Sequence, residues 1–228
     1  MSIILSIETA TPVCSVALHR AGTLLGLQEI HLEKSHSSLL HVLVDDLLND
    51  TEVRREELSA VAVSMGPGSY TGLRIGAAAA KGWCYALDIP LIGVDTLQAM
   101  AYGVNRANPH KAWLCPMIDA RRMEVFCRLE DAKGNELLPT QALVIDQQSF
   151  QKQLAQHQVW FFGNGSGKCV PVLEASPQAY FLAGVQPSAR WVGELAQKKF
   201  AQQAFEDLAY SVPHYGKAFY TTQAREQT

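Results

Sequence analysis

Ser64-Met65-Gly66-Pro67-Gly68-Ser69-Tyr70-Thr71-Gly72-Leu73-Arg74 joins a short β-branched run, 60–64, to a long segment rich in alanine and glycine, 70 to about 87. The first segment has the composition of a buried strand and the second that of a helix. A helix that starts after a glycine turn presents free N–H groups and the positive end of its dipole, which suits an anion. The spacing rejects two nucleotide motifs. The P-loop needs Lys directly after its last glycine, and here Lys81 lies well beyond Gly72; the dinucleotide fingerprint needs two residues between its second and third glycines, and here there are three. Gly66, Gly68, Ser69, Tyr70, Thr71 and Gly72 therefore form either a candidate anion or nucleotide site matching neither fingerprint, or a tight strand-to-helix turn capped by Ser69 or Thr71.

The helix beyond the loop is unusually slim. Gly72, Gly76, Ala77, Ala78, Ala79, Ala80 and Gly82 leave little side-chain bulk. Each interior glycine costs about 1 kcal/mol against alanine, so close approach by another helix is expected. The approaching helix is either internal, with 36–48 the leading candidate, or part of a second chain. In 36–48 the apolar residues Leu39, Leu40, Val42, Leu43, Val44, Leu47 and Leu48 cover more than one stripe, so this helix is expected to contact two bodies.

Working outward, 3–8, 14–19 and 24–30 read as three strands joined by tight turns, an antiparallel meander at a sheet edge. A strand at 90–94 and a helix at 97–104 complete the first half. After Asn105-Arg106-Ala107-Asn108-Pro109 the pattern restarts. Strands are expected at 113–118 and 124–129, a third near 143–145, a helix at 147–156, an apolar strand at 159–162 running into a second glycine loop, and a final helix at about 189–205. The two halves share an order of elements, a weak internal duplication with a shorter second copy. The expected domains are 1–106 and 107–228 of an α/β protein.

Composition narrows the function classes. The chain has 228 residues, 48% hydrophobic and 18% charged, which suits a folded core and excludes disorder. Net charge is −3, so the whole surface is not adapted to nucleic acid. No run reaches the ~18 apolar residues of a membrane span. Residues 1–5 lack a basic region and read as a strand rather than a signal peptide. The 5 cysteines include no CxxC pair and point to a reducing, cytoplasmic setting.

The histidines do not form a metal motif. His31, His36 and His41 recur at spacing five, which puts His36 and His41 about 140° apart on a helix, whereas metal helices use i, i+4. Cys14 and Cys115 sit inside strands, so packing outweighs a nucleophilic role. Glu8, at the end of the first strand, is either an ordinary strand-end acid or a carboxylate that orients water or metal. Asp119, Arg121, Arg122 and Glu124 mark a charged hairpin tip, either exposed ion pairs or a recognition element.

Taken together, 4–9 with 14–18, Ser35-His36-Ser37 with Leu39-Leu40, 66–76 followed by Ala80-Lys81-Gly82, and 119–125 resemble the TsaB (YeaZ) family. Its members are accessory subunits of bacterial threonylcarbamoyladenosine (t6A) synthesis on tRNA. The likeness is strong over 1 to about 127 and thin beyond.

The resemblance implies an actin-like ATPase (ASKHA, ribonuclease H-like) fold of two lobes, each a mixed sheet flanked by helices, the second lobe degenerate. It implies a helical interface with a TsaD-type catalytic subunit or with a second copy of the chain. Candidate interface residues are Ser35, His36, Leu39, Leu40, Leu43, Leu47, Thr71, Arg74, Ile75, Ala78 and Ala79. It further implies threonylcarbamoyl-AMP as donor, adenosine 37 of ANN-reading tRNAs as acceptor, a TsaE-type ATPase as a further partner, and tRNA contact through the complex. No catalytic residue, resident metal or resident cofactor is expected, ATP or ADP belonging to the complex, and no membrane association. A free-standing metal-dependent glycopeptidase-like or actin-fold phosphotransfer enzyme is the alternative.

Overall fold

Every residue of the first strand, β1 (Ile3–Glu8), is buried, because the sheet it centres is covered on both faces. The computed structural model describes residues 1–32 and 36–216. β2 (Val13–Arg20) and β3 (Thr23–His31) continue β1 as an antiparallel meander. After α1 (His36–Asp50) the chain enters β4 (Ala60–Ser64), α2 (Tyr70–Leu87), β5 (Leu91–Val94) and α3 (Thr96–Asn105). β4 and β5 run parallel to β1, giving the order β3-β2-β1-β4-β5.

The second sheet repeats that order. β6 (Trp113–Asp119), β7 (Glu124–Glu130) and β8 (Glu136–Val144) form an antiparallel meander. α4 (Gln151–Leu154), β9 (Val159–Phe162), α5 (Val170–Leu173) and β10 (Ala179–Leu182) follow. β9 runs parallel to β6 and β10 to β9, so the order is β8-β7-β6-β9-β10. The duplication read from the sequence is thus a matched topology, with the helices of the second copy cut to four residues each.

α6 (Ala189–Ala201) does not stay with the second sheet. Its Val192 and Ala196 pack with Ile4, Ala60, Ala62, Ile92 and Val94 on one face of the first sheet. α1 and α2 cover the other, where Leu40, Val44 and Leu47 meet Leu5, Ile7 and Val16. A strand buried on both faces reads as a continuous apolar run, as β1 and β4 do. The stretch 107–228 is therefore not one spatial unit, because a helix is left on the first lobe.

Several elements of the second half differ from the sequence expectation; α5 was not expected at all. β8 spans nine residues rather than 143–145; it is an edge strand that carries Pro139, and both features blur the period-two pattern. The helix expected at 147–156 shrinks to α4. Asp146 Oδ1 accepts from Gln148 N and Ser149 Oγ, both at 2.9 Å, holding a turn, and Phe150 has φ 61°. β10 was not expected: it is a run of only four apolar residues after Pro177-Gln178, too short for periodicity to identify it as a strand. α6 stops at Ala201, where Gln203 takes φ 55°.

Candidate functional site

The glycine loop is built against the turn between β1 and β2. A Cβ on Gly68 would stand 2.3 Å from the Ala10 carbonyl oxygen, one on Gly72 2.1 Å from that of Thr9, and one on Gly76 2.3 Å from Thr9 Oγ1. Thr9 Oγ1 donates to the Gly72 carbonyl at 2.8 Å, and Ser69 N donates to the Ala10 carbonyl at 2.7 Å. Ser69 caps α2, its Oγ accepting from Gly72 N at 3.3 Å. The expectation that another helix approaches Gly72 and Gly76 is corrected: their missing side chains make room for Thr9 of this chain. Gly82 is different. Nothing lies within 4 Å of its hypothetical Cβ, so the slim surface left open on α2 is formed by Ala78, Gly82 and Ala86, all exposed.

These residues line a groove of about 630 Å³ between α1 and α2, together with His36, His41, Ile75 and Trp83. Of the candidate interface residues, Thr71, Arg74 and Ala78 are exposed and Leu39 and Ile75 half-buried. Leu40, Leu43, Leu47 and Ala79 belong to the first core. Leu47 packs over Gly26, whose Cβ would meet its Cδ1 at 2.7 Å. The second body expected beside α1 is thus in large part the chain's own sheet. His36 is buried with Nε2 2.8 Å from the Thr11 carbonyl oxygen. Ser35 lies outside the described residues. Gly82 was singled out as a small residue of α2 and His41 only as a histidine, neither as a candidate interface residue, and Trp83 and Ala86 escaped the sequence reading; the i, i+4 recurrence of small residues at 78, 82 and 86 marks Ala86.

The groove continues past Thr11, Pro12 and Ile75 into a cleft of about 620 Å³ between the lobes. Its walls include Thr11, Ser69, Thr71, Arg121, Asn164 and Tyr215. Of the candidate anion residues, Gly68, Ser69, Tyr70 and Thr71 line it, while Gly66 and Gly72 are buried and face His214 and Thr9. Several backbone donors a phosphate would need already have partners. Ser69 N and Gly72 N are engaged as above, Ala120 N donates to the Glu124 carbonyl at 3.1 Å, and Arg121 N to Asp119 Oδ1 at 2.9 Å.

The hairpin tip is also held from within. Lys168 Nζ donates to the carbonyls of Arg122 and Glu124, both at 2.7 Å, and to Asp119. Asp119 is therefore occupied inside its own turn, leaving Arg121 and Arg122 as the exposed charges.

Glu8 is sealed in the core. Oε1 accepts from Ala10 N at 2.6 Å, and Oε2 has no partner. Burial lifts its pKa from 4.5 to about 7; the Ala10 N–H and Ser64 hydroxyl oppose the rise, and the Glu29 carboxylate adds to it. A carboxylate placed here does not reach the cleft to orient water. Among the described residues no three His, Cys, Asp or Glu side chains gather as a metal site. No described helix is long and apolar enough to cross a membrane. All five cysteines are buried and free.

Two lobes of matched topology, joined over a cleft, define the actin-like ATPase fold class (ASKHA), here with a reduced second lobe. The family model described as TsaD, tRNA N6-adenosine threonylcarbamoyltransferase, matches residues 30–224. The chain belongs to that family, and within it to the TsaB (YeaZ) group. It is 34% identical over 145 residues to the tRNA threonylcarbamoyladenosine biosynthesis protein TsaB of Bacillus subtilis, covering 62% of each chain. It is 40% identical over 123 residues to the protein of that name from Escherichia coli, covering 54% of this chain and 52% of that one. The match thus spans little more than half the length of these curated relatives. YeaZ from Pseudomonas aeruginosa superposes with a TM-score of 0.78 at 26% identity, over 94% of this chain and 100% of that one.

Proposed function

We propose that the chain is a non-catalytic scaffold subunit for transfer of the threonylcarbamoyl group from threonylcarbamoyl-AMP to N6 of adenosine 37 in ANN-reading tRNAs. It acts by seating a TsaD-type catalytic subunit on α1 and α2. The observation that carries this reading is the open stripe Ala78–Gly82–Ala86, flanked by Ile75 and Trp83, where a foreign helix can approach α2 closely. The names of the curated relatives supply the pathway. A TsaE-type ATPase joins the assembly, tRNA is met through the complex, and ATP or ADP belongs to the complex rather than to this chain alone. The setting is the cytoplasm. A second copy of the chain competes for the same face, giving a homodimer when the partner is absent.

The burial of Glu8 away from the cleft argues against a free-standing phosphotransfer enzyme, the competing reading. Reconstitution separates them. The purified chain alone leaves ANN-reading tRNA unmodified, and modification appears when the catalytic subunit, the ATPase and the donor are supplied. Modification by the chain alone, or stoichiometric zinc or iron in the pure protein, overturns the scaffold reading.

A further inference from the structure

Residues 206–216 leave the first lobe as a strap that makes a turn at 208–210 and end on the second. Glu206 N donates to the Leu91 carbonyl at 2.9 Å, fixing the start beside the edge strand β5. Lys81, on α2, holds the middle: its Nζ donates to the Ser211 carbonyl at 2.7 Å and reaches that of Ala209 at 3.5 Å. The strap then crosses the glycine loop, where His214 N donates to the Met65 carbonyl at 2.7 Å. Gly66, at φ 102°, has no space for a Cβ, which would stand 2.2 Å from the His214 carbonyl oxygen. The Tyr215 ring lies 4.7 Å from that of Tyr70 and forms part of the cleft wall. Gly216 rests on Phe126 of the second lobe, where a Cβ would meet the ring at 2.4 Å.

Apolar burial holds this strap at two points only: Leu208 packs half-buried on the first core and Pro213 is buried. Tyr210, by contrast, is 84% exposed and Val212 65%. Backbone hydrogen bonds, one lysine, these two side chains and the contacts of its end do the holding. A segment fixed in this way opens at low free energy compared with a core element, yet its end touches both lobes at the cleft.

We propose that the strap is a latch. Its end, Tyr215 and Gly216, ties the two lobes across the cleft and limits access to it, and its release opens the cleft while both cores stay folded. Lys81 is the clasp. The latch acts on the chain's own lobes and holds whether or not the α1–α2 groove seats a partner.

The burial of all five native cysteines allows a direct test. In the full chain, Ala120→Cys places one half-buried thiol in the cleft wall, and its rate of reaction with a maleimide dye is measured under native conditions. Adding Tyr215→Ala or Gly216→Val is expected to raise the rate about fivefold or more, while Tyr210→Ala, on the exposed middle, leaves it unchanged. Lys81→Met, a change on the surface of α2, is expected to act in the same direction and serves if Gly216→Val fails to fold. Equal rates in folded Tyr215→Ala, Lys81→Met and parent proteins overturn the latch. So does an equal acceleration by Tyr210→Ala.

Discussion

Gly72 lies so close to Thr9 that a Cβ on it would stand 2.1 Å from the Thr9 carbonyl oxygen, whereas the equivalent atom on Gly82 of the same helix would meet nothing within 4 Å. The two glycines therefore respond in opposite ways to one added methyl group. Gly72→Ala forces the β1–β2 turn away from α2 and is expected to destabilise the chain by about 2 kcal/mol or more. Gly82→Ala removes a helix-interior glycine without a clash and is expected to stabilise it by roughly 0.5–1 kcal/mol. Urea melts of both variants check this; destabilisation by Gly82→Ala would show that its surroundings are not open in the isolated chain.

Glu8 makes stability depend on pH. Its folded pKa, about 7, exceeds the ordinary 4.5, so the folded state holds a proton that the unfolded chain has already released. Its contribution to stability is full below 4.5 and is lost as pH rises toward about 7. The full penalty above that window is about 3 kcal/mol. Glu8→Gln keeps an acceptor for Ala10 N and removes the buried charge. It is expected to raise stability at pH 8 and to leave it nearly unchanged at pH 4.5, as denaturant titrations at both values will record. Equal shifts at both pH values would place the effect in packing rather than ionisation.

The part of the fold carried by strong local patterning was legible in the sequence. β1, β4 and β9 are apolar runs, and the loop at 66–72 is bounded by glycines, so these were placed closely. The second lobe was harder to read, because β8 is an edge strand with a proline and α4 and α5 are single turns. The site divided along similar lines. The small residues of α2 announced close contacts, but local sequence cannot say that Thr9 fills the spaces at Gly72 and Gly76 while Gly82 stays open. That depends on β1 and β4 being sheet neighbours. The apolar excess of α1 suggests contact with two bodies and makes Leu40, Leu43 and Leu47 candidate interface residues; the sheet beneath α1 uses that excess, and all three lie in the first core.

His19 should dominate the acid side of the first lobe. Both its ring nitrogens are buried without a hydrogen-bond partner, and a Cβ on Gly193 of α6 would stand 2.2 Å from its Nδ1. Burial lowers its pKa below 6.5; the Glu194 carboxylate opposes this and the Arg190 guanidinium adds to it. A lowered pKa means that the folded state favours the neutral ring. Stability is thus full above 6.5 and is lost as pH falls through the folded value. This runs against the Glu8 effect, so the two are best separated in the Glu8→Gln background. There His19→Leu is expected to flatten the fall in melting temperature between pH 7.5 and 5. An unchanged slope would assign the acid limb to other groups.

The proposed docking face yields the sharpest contrast, because two neighbours in the groove differ in what lies behind them. Ala78 is exposed on α2, while Leu40 is 1% exposed in the first core. Ala78→Glu places a solvated carboxylate where the proposed partner helix would come close, and the monomer is expected to keep its melting temperature within about 2 °C. Its affinity for the catalytic subunit, measured by titration calorimetry, is expected to fall by about 10²-fold or more, since the bulk and the charge are both buried only in the complex. Leu40→Glu instead buries a charge among Val44, Leu5 and their neighbours and is expected to unfold the chain, making it no probe of binding. If folded Ala78→Glu binds the catalytic subunit as tightly as the parent, the α1–α2 groove is not the docking face.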